Sequence, residues 1–346
     1  MSNSSNPYAP DESSSTIVDE ETWLQGALLS NIAYGVVLAL YVMCVAKLVR
    51  QLKQYNYMRP LGLFAYATVI FIISTLFMGS QVKFIQLAFI EDRNFPGGPN
   101  AYVEDEFSNP TDEIANVCFV VGNWIMDAFL IWRLVVIFKS LGRMWVIPLA
   151  TGLSIMLAAS VSLGISLLVQ MTGSSPFDYV NITLGYYVMS LALNVVATFF
   201  IAGRFLVCRA RAARLGSEHA SRYTGFAAVF IESAALFAIF AILFIVPFGI
   251  GNNLANVFIE TVSQVQVVAS LLIVVRIASG EAWTEHTASQ MFLTDPESDP
   301  DTVRMQKLTS LQFNAMQSAV PEDDDGKAST QGESTHGRVT SGDNIV

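Results

Sequence analysis

Seven stretches of this chain, at roughly 23–47, 61–88, 114–138, 145–171, 182–207, 226–250 and 255–279, are long and apolar enough to cross a bilayer. A helix needs about 20 mostly apolar residues to span the hydrocarbon core. Helices are the only reading for runs of this length, because a lone segment in lipid must satisfy its backbone groups internally. Composition agrees: charged residues make up 14% and apolar residues 53%, against about 25% and 45–50% in soluble domains. The expected fold is therefore an all-α membrane protein, a seven-transmembrane helix bundle.

Lysine and arginine set the expected orientation. One set of loop regions holds Lys47, Arg50, Lys53 and Arg59, then Lys139 and Arg143, then Arg204, Arg209, Arg211, Arg214 and Arg222; the opposite side has Arg93, with Lys83 near its edge. This bias predicts an N-terminus outside and a C-terminus in the cytoplasm. Residues 1–22 lack Lys and Arg but contain Asp11, Glu12, Asp19, Glu20 and Glu21. They read as an extracellular segment without the basic start of a cleavable signal, so the first span is expected to direct insertion. Asn3-Ser4-Ser5 and Asn181-Ile182-Thr183 are glycosylation sequons on the outer side, although Asn181 lies close to the bilayer.

Three regions divide the chain: the outer segment 1–22, the membrane domain 23–279 and a tail at 280–346. The tail carries 12 acidic and 4 basic residues; it cannot bury a core and reads as a disordered acidic cytoplasmic segment. A stretch from Val303 to Met316 reads as a weak amphipathic helix. The net charge of −10 argues against a nucleic-acid partner. The outer loop from Glu91 to Asp112, with Pro96-Gly97-Gly98-Pro99, is either a loose cap or a gate for ligand access. Cys44, Cys118 and Cys208 make no disulfide or metal framework, and Cys208, beside arginines at the membrane edge, is a candidate for palmitoylation.

Ionisable and amide side chains inside apolar runs mark the candidate site. The third span carries Asn116, Asn123 and Asp127 on one face, and Asn194 of the fifth span falls at the depth of Asp127, as does Ser233 of the sixth. Glu260, Gln264 and Gln266 follow in the seventh. Asn123, Asp127, Asn194, Glu260 and Gln264 are the candidate ligand pocket; the competing reading is a hydrogen-bonded stripe that joins helices. Nearer the cytoplasm, Arg133 and Glu232 lie at matched depth, with Arg276 slightly closer to the surface. Matched depth predicts an Arg133–Glu232 ion pair, acting as a latch or as a fixed clamp. Lys83 is expected to snorkel to the surface, and Pro247-Phe248-Gly249 to kink or end the sixth span.

Several chemistries are disfavoured. His219, His286 and His336 all fall in inner loops or the tail, which argues against a zinc hydrolase within the bundle. The seventh span has no lysine for a Schiff base. No phosphate-binding glycine loop or nucleophile elbow occurs. The expectation is a protein that is not an enzyme and needs no cofactor.

Asp127-Ala128-Phe129-Leu130-Ile131-Trp132-Arg133 resembles the Asp-Ala-x-x-x-Trp-Arg signature of uncharacterised seven-transmembrane integral membrane proteins of basidiomycete fungi. Glu232-Ser233-Ala234-Ala235-Leu236 and Leu271-Leu272-Ile273-Val274-Val275-Arg276 are similar to motifs of the same family. The resemblance covers about residues 25–280 and implies topology and an inner polar cluster, not a ligand. Similarity to G-protein-coupled receptors is architectural only. Trp132 stands where an acidic residue precedes the arginine in that class, and the Asn-Pro-x-x-Tyr element and outer disulfide are absent. The leading functional expectation is a receptor-like sensor of an unknown small-molecule ligand, with a cytoplasmic signalling partner and the lipid bilayer around it, most naturally in the plasma membrane. A small-solute transporter or channel, and a non-signalling scaffold, are the alternatives.

Overall fold

A computed structural model describes residues 12–52, 58–106, 108–139, 143–171, 180–214 and 220–281. The Asn3 sequon, Lys53, the three histidines and the tail beyond Glu281, with its Val303–Met316 stretch, lie outside the described residues. The helices are α1 (Ser14–Leu52), α2 (Met58–Gln86), α3 (Gly98–Asp105), α4 (Pro110–Phe138), α5 (Arg143–Met171), α6 (Val180–Arg214), α7 (Ala220–Gly249) and α8 (Leu254–Arg276). Two π-helical turns, Leu87–Glu91 and Ile277–Glu281, extend α2 and α8. All but the short α3 contain an apolar span, and among the described residues there is no strand. The chain is an all-helical, multi-pass membrane protein with seven spans.

Each span packs on its sequence neighbours, and α8 returns to lie on α1, which closes a ring; α4 also touches α6 and α8. The α1–α8 pair is parallel. Near one end Asn253 donates to Asp19 and Asn256 to Thr22. Near the other, Lys47 bonds Ser279 and Gln51 donates to the Ala278 carbonyl over 2.6 Å. These two ends define an N-face and a C-face of the bundle. Close approach depends on Gly26, where a Cβ would stand 2.6 Å from the Asn256 carbonyl oxygen.

Large side chains such as Leu28, Ile32, Phe199 and Met144 are exposed on the outside of the ring, as expected where lipid is the solvent. The apolar window of α8 is 78% buried against 17% for α1, so α8 is an interior helix. From Glu260 to Leu271 every α8 residue is buried. Thr261 bonds back to the Val257 carbonyl of its own helix, while Gln264, Gln266 and Ser270 bond side chains of other helices.

The α2–α4 connection departs from the loose cap expected at its sequence. Gly97 and Gly98 adopt φ of 96° and 80°, conformations open to glycine at little cost, and turn the chain into α3. Tyr102 and Val103 of α3 then bury against Trp23, Phe84 and Ala88. This segment is a packed lid on the N-face. Asn109 caps α4 by accepting from the Thr111 amide over 3.0 Å, with Pro110 in the first turn, so the third span starts earlier than its apolar run suggests. Helix α7 continues through Pro247 to Gly249 and ends there, with Gly251 at φ 66°.

Candidate functional site

Helix α4 carries polar groups at positions 112, 116, 123 and 127, spaced four, seven and four apart, so one helical face is polar from the N-face to mid-bundle. Asn123 and Asp127 are each 1% exposed. Asn123 is the hub. Its Nδ2 donates to the Tyr186 hydroxyl over 2.8 Å, while its Oδ1 accepts from Ser190 Oγ over 3.2 Å and from Gln266 Nε2. Ser190 also reaches Asp127 Oδ2 at 3.5 Å. Three interior helices, α4, α6 and α8, are thus joined at one level.

Below this hub, Asp127 lines a cavity of about 30 Å³ with Asn194, Thr198, Ser233, Gln266 and Ser270. That volume suits water, which needs roughly 10–15 Å³ of accessible space and polar partners. Tyr66 of α2 bonds Ser270 and stacks on Phe129 at 4.0 Å between centroids. The Phe129 ring also faces the Arg133 guanidinium at 5.5 Å, and Trp132 faces it at 5.2 Å.

Above the hub, Asp112, Asn116 and Glu260 share a second cavity, of about 40 Å³, walled by Trp23, Phe119 and Tyr187 among others. Asn116 Nδ2 donates to Asp112 Oδ2 over 2.7 Å. Gln264, one turn beyond Glu260, points instead to α2, where its Oε1 accepts from Ser74 Oγ over 2.7 Å.

The predicted pocket therefore divides. Asn123, Asp127 and Asn194 converge at mid-bundle, Glu260 belongs to the N-face cavity, and Gln264 fastens α8 to α2. The expected Arg133–Glu232 ion pair does not form: Arg133 is buried at 8% exposure while Glu232 is exposed. Helical phase is the reason. Phe230, Ser233, Phe237, Ala241 and Phe244 fill the inward face of α7, and at 100° per residue Glu232 is turned out of it. Arg276 is likewise exposed, at the end of α8. Lys83 pairs at the surface with Glu91. Cys208 is buried rather than presented at the membrane edge, and no disulfide joins Cys44, Cys118 and Cys208.

Asp112, Tyr186 and Ser190 are members of the site that sequence reasoning passed over. The i, i+4, i+8 spacing of Tyr186, Ser190 and Asn194 is a signal that would have found two of them. Asp112 precedes the apolar run of the third span, and only the Asn109 cap brings it into α4.

No family model, curated protein or solved structure matches this chain. Fold and site together define a multi-pass membrane protein with a polar interior on α4, α6 and α8.

Proposed function

We propose that this protein is a receptor-like sensor, oriented with the N-face outside the cell, in which α4 relays a change from the outer half of the bundle to its cytoplasmic end. The resemblance to the fungal seven-helix family is part of the same reading, as is a plasma-membrane location. One observation carries it. Arg133 is buried at the C-face end of the α4 polar column, yet its Nε and Nη2 have no hydrogen-bond partner. A buried, unsatisfied cation costs several kcal/mol, and stacking on Phe129 and Trp132 returns only about 1–2 kcal/mol. A second arrangement of the inner helix ends, or a cytoplasmic partner, would satisfy it. Such a second arrangement would give the bundle two states to choose between, which is what a sensor requires.

The polar cavity beside Asp127 supports a second reading, ion or solute passage. On α4, Asn123 stands between the two cavities and is bonded by Ser190 and Gln266, so passage along that face of α4 would require these bonds to open. Purified protein in proteoliposomes separates the two. The sensor reading expects no Na⁺, K⁺ or proton flux above protein-free vesicles under an imposed gradient. A flux abolished by Asp127→Asn would replace it with the transporter reading.

A further inference from the structure

We propose that the N-face cavity is a binding site for a small alkali cation of Na⁺ size, held by Asp112, Glu260 and the carbonyl of Asn116. Two carboxylates from different helices face this one space, Asp112 at 2% and Glu260 at 3% exposure. Glu260 Oε2 is buried with no hydrogen-bond partner, whereas Gln264 and Gln266 of the same helix bond Ser74 and Asn123 of neighbouring helices. No Lys or Arg lines the cavity, so no side chain there offers the two carboxyls a counter-charge. Uncompensated charge at this depth is expensive, and a ligand cation removes the expense.

The chemistry selects the ion. Carboxylate and amide oxygens are hard ligands, suited to alkali and alkaline-earth ions rather than to transition metals. Among the described residues no three His, Cys, Asp or Glu side chains come together, which leaves too few anionic oxygens for Ca²⁺, with its six to eight ligands. The rest of the wall is largely aromatic, from Trp23, Phe77, Phe84, Phe119 and Tyr187. Such rings stabilise a monovalent cation through their faces. A volume of about 40 Å³ holds one desolvated ion with a water, and is too small for an organic ammonium. The site adjoins the lid formed by α3, since Trp23 and Phe84 of its lining pack in one cluster with Tyr102.

The test uses the full chain in nanodiscs, melted in NaCl or choline chloride at equal ionic strength. Binding predicts a Tm rise of about 3 °C per tenfold increase in NaCl above the dissociation constant, absent with choline. Glu260→Gln and Asp112→Asn should each abolish the Na⁺ dependence while retaining a cooperative melt. If either variant does not fold, ²³Na line broadening by the wild-type protein, reversed by Li⁺ but not by choline, reads binding directly. Equal Tm in Na⁺ and choline, with no line broadening, would overturn the proposal. So would a Tm that responds to pH but not to Na⁺, since the two carboxyls then share a proton. Signalling is not measured, so the sensor reading stands or falls separately.

Discussion

Asn123 shows what a single buried amide does in this bundle. Its oxygen takes two hydrogen bonds and its nitrogen gives one, so three helices depend on one side chain. Asn123→Leu keeps the volume and strands the Gln266 amide and the Tyr186 hydroxyl. The expected cost is about 1–3 kcal/mol, read as a Tm fall of several degrees in nanodiscs. Ser190→Ala should cost less, near the roughly 0.6 kcal/mol average for hydrogen bonds between membrane helices. A Tm for Asn123→Leu equal to wild type would show that the hub is not a structural joint. Asn123 and Asp127 were legible in the sequence because amides and acids stand out in apolar runs. Tyr186 and Ser190 were not, because tyrosine and serine are ordinary in such runs and only their spacing distinguishes them. Glu232 marks the limit from the other side: depth can be counted along a chain, but the direction a residue faces depends on the phase of the whole helix.

At the level of helices, the α1–α8 pair is set by small residues. Trp23, Gly26, Ala27 and Ser30 are the buried residues in the N-terminal half of α1, and the glycine lets the two backbones approach. Gly35, on the same helix, has open space where a Cβ would go. Gly26→Ala should therefore lower Tm clearly, because the clash is with backbone. Gly35→Ala should leave it unchanged or raise it slightly, as alanine is the better helix former by roughly 1 kcal/mol. Equal effects from the two substitutions would mean that α1 does not pack as described. The spans were legible from hydropathy alone. The lid α3 was not: proline and glycine around Gly97 read as a loose connection, and its order comes from the burial of Tyr102 and Val103 against α1 and α2, contacts too distant in sequence to be counted.

Across the whole molecule, apolar lengths determine seven crossings but not which helix is interior. The burial of α8 arises from its position between α1 and α7 with α2 and α4 behind it. In retrospect its run Glu260-Thr261-Val262-Ser263-Gln264-Val265-Gln266 is too polar for a helix facing lipid. The proposed sensor has two arrangements of the inner helix ends, set by Arg133 of α4, whose buried Nε and Nη2 have no hydrogen-bond partner. Spin labels on cysteines at Lys139 of α4 and Val207 of α6 would report them, in a background where Cys44, Cys118 and Cys208 are alanine. Two distances between the labels are expected in the wild-type sequence. One distance is expected in Arg133→Met, with stability raised by about 1–2 kcal/mol as an apolar side chain replaces the buried charge. A single, unchanged distance in both, with Arg133→Met less stable, would contradict this reading and make Arg133 a fixed part of a static scaffold.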